Sequence, residues 1–141
     1  MSILQKDIPG ARVVDLFAGS GALGLEALSR GAASVDFVEK NSASLRVLQA
    51  NIDKLGAADA VAVHRADALA FAERAGPVAY DIAFADPPYS GGGAARLAAH
   101  WLRIPFAQVF SVEHSASDTM PGVAETRRYG TTAITIYRSE G

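Results

Sequence analysis

Between Val13 and Gly24 the chain reads VVDLFAGSGALG, an apolar run that passes through one acid into three glycines. Val13, Val14, Leu16 and Phe17 form a run too short for a helix and rich in strand formers, which predicts a buried parallel strand. A tight turn must follow. Gly19, Gly21 and Gly24 fit G-x-G-x-x-G, in which missing side chains allow unusual backbone angles, close ligand approach and close helix–strand packing. A helix is expected from near Gly21, with Leu23, Leu25, Ala27 and Leu28 as its apolar positions. Taken alone, the spacing also suits a purely structural strand-to-helix turn.

The setting of the glycines narrows the reading. Asp15 stands shortly before the first glycine, at the carboxyl end of the expected strand, where open α/β sheets place their ligands. A nicotinamide fold presents its helix N-terminus and bare glycines to a pyrophosphate. A buried acid in that place suits a ligand carrying an amine instead. S-adenosyl-L-methionine has an ammonium group on its methionine part and a cationic sulfonium, so it fits better.

At 141 residues the chain has room for one domain, 1–141, large enough to bury its own core. A hydrophobic share of 50% against 20% charged residues is that of a globular chain, not a disordered one. No apolar run approaches the roughly 20 residues of a membrane span. Gln5, Lys6 and Asp7 interrupt the start too early for a signal peptide. With no cysteine there is neither disulfide nor thiolate metal site, and a cytoplasmic location is the expectation. A net charge of −2 gives no whole-domain field for nucleic acid, so any such role needs a local patch.

Beyond the glycine loop, strand and helix patterns alternate, which predicts a doubly wound α/β fold with a mostly parallel sheet. The second strand is expected at Ser34 to Glu39 and a helix at Ser42 to Leu55, with apolar Leu45, Val47, Leu48, Ile52 and Leu55 and a stop at Gly56. A weaker strand, Ala60 to Arg65, precedes a short helix from Asp67 to Ala75 that Gly76 and Pro77 end. Tyr80 to Ala85 is the fourth strand, Ala94 to Leu102 a helix, and Ala107 to Glu113 the fifth strand. After a loop from Ser115 to Gly122 come Glu125 to Tyr129 and Thr132 to Tyr137, split by Gly130. They bring the sheet to seven strands with an antiparallel one near the carboxyl end.

Glu39 follows the first glycine by the roughly 20 residues at which a carboxylate meets ribose hydroxyls; the plainer reading is a solvated loop acid. Asp67 can accept from an adenine amino group or simply cap its helix. Asp86-Pro87-Pro88-Tyr89 is the most specific feature, because a turn needs one proline rather than two with an acid and an aromatic ring. An exocyclic amine attacks poorly while its lone pair is delocalised into a heterocycle. Asp86 and the Pro87 carbonyl can hold its protons, proline stiffness preorganises those acceptors, and Tyr89 offers a ring for a flipped base. His64, His100 and His114 have no metal-ligand spacing, so no metal is expected, and Trp101 reads as core. Arg127, Arg128 and Arg138 can touch phosphates or form a solvated face.

With these motifs placed, the chain resembles a class I S-adenosylmethionine-dependent methyltransferase of the N-directed type. DLFAGSGALGLEALSRGA from Asp15, SVDFVEKN, DPPY and RRYGTTAITIY closely resemble the family that methylates a guanine N2 of 16S ribosomal RNA. The resemblance implies that Asp15, Gly19 and Gly21 hold the methionine part, Glu39 the ribose, Asp67 the adenine, and Asp86, Pro87, Pro88 and Tyr89 the target guanine. Phe17, Ala18, Ser20, Lys40, Ala68 and Asp86 complete the implied cofactor-binding set. The implied partner is ribosomal RNA or the small ribosomal subunit, with the chain a monomer.

Members of that family carry a further amino-terminal segment with a basic hairpin, and Met1 to Leu4 resembles the last turn of a helix in it. Two other functions share these motifs. One is a cofactor-binding module without independent catalysis; the other is an N-methyltransferase acting on DNA adenine or protein glutamine.

Overall fold

The computed structural model describes residues 4–88 and 92–140. Seven strands form one sheet: β1 (Arg12–Leu16), β2 (Ser34–Glu39), β3 (Val61–Arg65), β4 (Tyr80–Ala85), β5 (Ala107–Ser115), β6 (Glu125–Tyr129) and β7 (Thr132–Arg138). Four helices connect them: α1 (Ala22–Ser29), α2 (Ser42–Leu55), α3 (Ala68–Arg74) and α4 (Gly93–Arg103). The strand order is β3-β2-β1-β4-β5-β7-β6. The first five strands in that order pair in parallel, and β7 runs antiparallel to both β5 and β6. This is the doubly wound, mostly parallel sheet expected from the sequence. Its strand order reverses between β1 and β4, which opens a crevice there.

Two apolar layers follow from the alternation of side chains along each strand. Val13, Phe37, Ile82 and Val109 pack with Leu25, Leu48 and Ile52 of α1 and α2. Val14, Val38, Ala83, Phe110 and Val112 pack with Ala72, Leu97 and Trp101 of α3 and α4. Each large side chain fully buried in these layers is worth roughly 1.5–3 kcal/mol of transfer free energy. Trp101 is core as expected, and its indole N–H donates to the Ala107 carbonyl at 2.8 Å.

Local signals set the helix ends. The Asn41 side chain accepts from the Ser44 N–H at 2.9 Å and starts α2; Gly56, at φ +64°, stops it in the left-handed conformation. Asp67 caps α3 by accepting from the Ala70 N–H at 3.0 Å.

Three apolar positions assigned to helix cores face solvent instead. Leu23 is 38% exposed, Val47 51% and Leu55 64%. In α1 the packed positions are Gly24, Leu25 and Ala27, because the helix lies so close to β2 that its contact residue has no side chain. A Cβ on Gly24 would stand 2.4 Å from Phe37 Cε1 and 2.8 Å from Val35 Cγ1.

Candidate active site at the carboxyl edge of the sheet

Strand register brings four residues into one row. Leu16 pairs with Val38 and with Ala85, and Ala85 pairs with Val112. The next residue on each strand is therefore Phe17, Glu39, Asp86 or Glu113, side by side along the carboxyl edge. All four line one cavity of about 620 Å³, together with Lys40, Ala68, Pro87 and Pro88.

Glu39 is fully engaged with backbone. Its Oε1 accepts from the Gly19 N–H at 2.8 Å, and its Oε2 accepts from the N–H groups of Asn41 at 2.9 Å and Lys40 at 3.1 Å. This is not a solvated loop acid. It ties the glycine turn to the end of β2, and Oε1, with one hydrogen bond, retains lone-pair capacity toward the cavity.

The turn itself is strained. Phe17 adopts φ +60°, a conformation that costs a bulky residue on the order of 1–3 kcal/mol and persists only where its surroundings impose it. The Ala18 N–H donates to the Val38 carbonyl at 3.0 Å, and the Ser20 carbonyl accepts from the Asn51 side chain at 2.9 Å.

Asp15 lies beneath the turn and is 2% exposed. Its Oδ2 accepts from the Gly24 N–H at 3.1 Å near the start of α1. Burial, against the pull of that hydrogen bond and with the nearby Asp86 and Glu39 charges, raises its pKa to about 7.

The sequence reading missed Glu113. Its carboxyl hydrogen-bonds Asp86, and that contact, with partial burial and the Asp86 charge, pushes its pKa up to about 7. The signal was present in AQVFSVE: Phe110 and Val112 point to the α4 layer, which assigns Ser111 and Glu113 to the opposite face with Val109. Reading Glu113 merely as a strand end hid that alternation.

Asp67 serves as a cap while its Oδ1 stands 3.7 Å from Lys40 Nζ. With Phe17, Lys40, Pro87 and Pro88 it lines a smaller recess of about 200 Å³ beside the main cavity. The structure thus brings together Phe17, Glu39, Lys40, Ala68, Asp86, Pro87 and Pro88 on the cavity wall. Asp15, Ala18, Gly19, Ser20 and Gly21 form the turn behind it. Tyr89 lies outside the described residues, as do Met1 to Ile3 of the amino-terminal expectation.

Most of the remaining candidates have structural partners, although His64 Nε2 is buried without a hydrogen bond among the described residues. A His114 ring nitrogen stands 2.6 Å from Thr135 Oγ1, a His100 nitrogen 3.2 Å from the Ala72 carbonyl, and His64 Nε2 3.5 Å from Asp36 Oδ2. Arg127 pairs with Glu125 at 2.9 Å and Arg138 with Asp7 at 3.3 Å. Among the described residues no group of three histidine or acidic side chains is disposed to hold a metal ion. No helix among them is long and apolar enough to cross a membrane.

The donor set has the chemistry for a cationic, hydroxyl-bearing ligand. Four acids converge at one edge, two of them with raised pKa values, and Lys40, the one basic side chain among the described residues of the cavity wall, is paired with Asp67. Residues 1–138 match the family described as Conserved hypothetical protein 95. The chain is 39% identical over 89 residues to the "Ribosomal RNA small subunit methyltransferase D" of Buchnera aphidicola subsp. Acyrthosiphon pisum (strain APS), covering 63% of this chain and 46% of that protein. It is 33% identical over 150 residues to YlbH of Bacillus subtilis (strain 168), described as a candidate rRNA methyltransferase, covering 94% and 78%. The solved structure of Escherichia coli yhhF, described as a candidate methyltransferase, superposes with a TM-score of 0.83 at 32% identity over 99% of this chain and 81% of that one. The match to the Buchnera protein spans less than half of that protein's length.

Proposed function

The chain belongs to the family described as Conserved hypothetical protein 95, and from that premise we propose that it transfers the methyl group of S-adenosyl-L-methionine to the exocyclic N2 amine of a guanine in 16S ribosomal RNA. The observation that carries this reading is the single row of Glu39, Asp86 and Glu113 at the carboxyl edge, continuous with the glycine turn. The named rRNA methyltransferases among its relatives support the substrate class.

The residues present fit the cofactor. Glu39 would accept from a ribose hydroxyl through Oε1, the oxygen that also fixes the turn. Asp67 and Ala68 border the adenine, and Lys40 screens Asp67. Asp15 contributes negative potential from below the turn formed by Phe17, Ala18, Gly19, Ser20 and Gly21, favouring the ammonium and sulfonium charges. When bound, the cofactor supplies an electrophilic methyl group on a cationic sulfur that leaves as a neutral thioether. Asp86 and the Pro87 carbonyl hold the amine's protons so that its lone pair points at that methyl group. As the new N–C bond forms, the proton lost by the amine passes to the Asp86 carboxylate. Pro87 and Pro88 keep those acceptors rigid, and Tyr89 stacks on the base.

The same acceptors suit other amides and amines, so the substrate is the part to test. Tritiated methyl incorporation should be measured in parallel into small ribosomal subunits, DNA and protein. Label in 16S RNA alone is the expected result; label in DNA or protein would reassign the substrate. The chain is read as a cytoplasmic monomer with one domain, 1–141.

A further inference from the structure

Asp86 and Glu113 form a shared wall. On one side is the main cavity; on the other is a second one of about 240 Å³, lined by Leu23, Phe84, Ser111 and Ile134 as well as by the two acids. This second cavity belongs to the face of the sheet covered by α1, and its lining explains an anomaly noted above. Leu23 sits at the start of α1 with an apolar side chain left 38% exposed beside an opening it does not fill. A lining of apolar side chains with two carboxylates among them suits a heterocycle that carries adjacent N–H donors.

We infer that the smaller cavity seats the target base and that Glu113 selects guanine by accepting hydrogen bonds from its Watson–Crick edge. The inference rests on the proposed guanine-N2 reaction and adds the residue that would enforce it. Guanine presents N1–H beside its N2 amine. One carboxylate with two oxygens can accept from N1–H and share the adjacent N2 proton with the Pro87 carbonyl, leaving the other N2 proton for Asp86. Adenine offers a bare N1 lone pair at the corresponding position, and a carboxylate facing it would be repelled. Phe84, Leu23 and Ile134 supply contact to the ring faces, and Ser111 a hydroxyl within the same cavity. Glu113 is thus a specificity-determining residue, distinct in role from Asp86, which takes the proton. In the free chain Glu113 hydrogen-bonds Asp86. A base arriving with two donors satisfies both acids and replaces that contact.

Saturation-transfer NMR on the full chain tests this with guanosine and with 2-aminopurine riboside, which keeps the exocyclic amine but lacks N1–H. The wild type should favour guanosine by about 10-fold or more, as expected for one well-made bidentate contact. Glu113→Gln, whose amide can donate to a bare N1, should bring the two ligands to parity or reverse the order, and Glu113→Ala should bind both weakly. Thermal melts establish that each variant is folded. A Glu113→Gln chain that keeps the guanosine preference, or a wild type that binds no guanosine, would overturn the inference. Each titration is run with and without S-adenosylhomocysteine. Glu113-dependent guanosine recognition in a chain that binds no S-adenosylhomocysteine would uphold the base pocket while removing the proposed methyl donor.

Discussion

Glu39 Oε1 accepts the Gly19 N–H at 2.8 Å, joining the acid that ends β2 to the first glycine of the turn after β1. The same side chain therefore shapes the turn and faces the main cavity. Glu39→Ala removes an ionised acceptor from three backbone donors, a loss of roughly 1.5–3 kcal/mol for each fully engaged charged hydrogen bond. Calorimetry with S-adenosylhomocysteine should show affinity falling by at least 10-fold, with a smaller loss for Glu39→Gln. Unchanged affinity for Glu39→Ala would remove it from the site.

Asp15 makes stability and binding respond to pH in opposite directions. Its folded pKa, about 7, lies above the ordinary 3.8, so the folded chain holds a proton that the unfolded chain releases. Its contribution to stability is full below about pH 4 and is lost as pH rises toward 7. Asp15→Asn, which can still accept from Gly24, should raise Tm at pH 8 and flatten the decline between pH 4 and 7. The variant should bind S-adenosyl-L-methionine more weakly than the wild type. A Tm unchanged or lowered at pH 8 would refute the buried-charge account.

Glu113 hydrogen-bonds Asp86. Asp86→Asn removes the charge that, with the hydrogen bond, raises Glu113, so Glu113 should return toward the usual carboxylate range in a carbon-detected NMR titration. Methyl transfer should fall by about 10²-fold or more while cofactor affinity changes little, the pattern of a group acting in the transition state. A rate equal to wild type would show that another residue holds the amine.

Gly24 is fixed by packing rather than by ligand approach. A Cβ there meets the buried Phe37 ring at 2.4 Å, and that ring is enclosed on all sides. Gly24→Ala should cost about 1–3 kcal/mol of overpacking and lower Tm by several degrees, at roughly 4 °C per kcal/mol. Gly76→Ala, whose Cβ would meet nothing within 4 Å and whose backbone is not left-handed, should lose less stability. Equal Tm values for the two variants would contradict the packing argument.

Most of the fold was legible because its signals are local. SVDFVE and YDIAFA are the observed β2 and β4 end to end, and Gly56 stops α2 where its φ of +64° requires glycine. The glycine turn, Glu39, Asp86 and the two prolines were likewise readable, since each stands at a strand end. Glu113 was not, because its role depends on the register of β4 against β5, which joins residues far apart in sequence. Helical spacing also placed Leu23 in the core, without regard to how closely α1 approaches β2. Asp67 is observed as the cap of α3 and also lines the recess.

The central claim is that the acids at the carboxyl edge hold a cationic methyl donor beside Asp86. Calorimetric titration of this chain with S-adenosyl-L-methionine at pH 8 and pH 6, with NAD as the comparison, tests it most directly. Raised pKa values of about 7 at Asp15 and Glu113 mean that a cation binding at pH 6 must displace protons, so affinity should weaken there. The predicted result is saturable one-to-one binding at pH 8, micromolar or weaker, about −8 kcal/mol or less favourable. Proton release on binding should be measurable near pH 6 to 7. Saturable binding of NAD with no response to S-adenosyl-L-methionine at either pH would contradict the account.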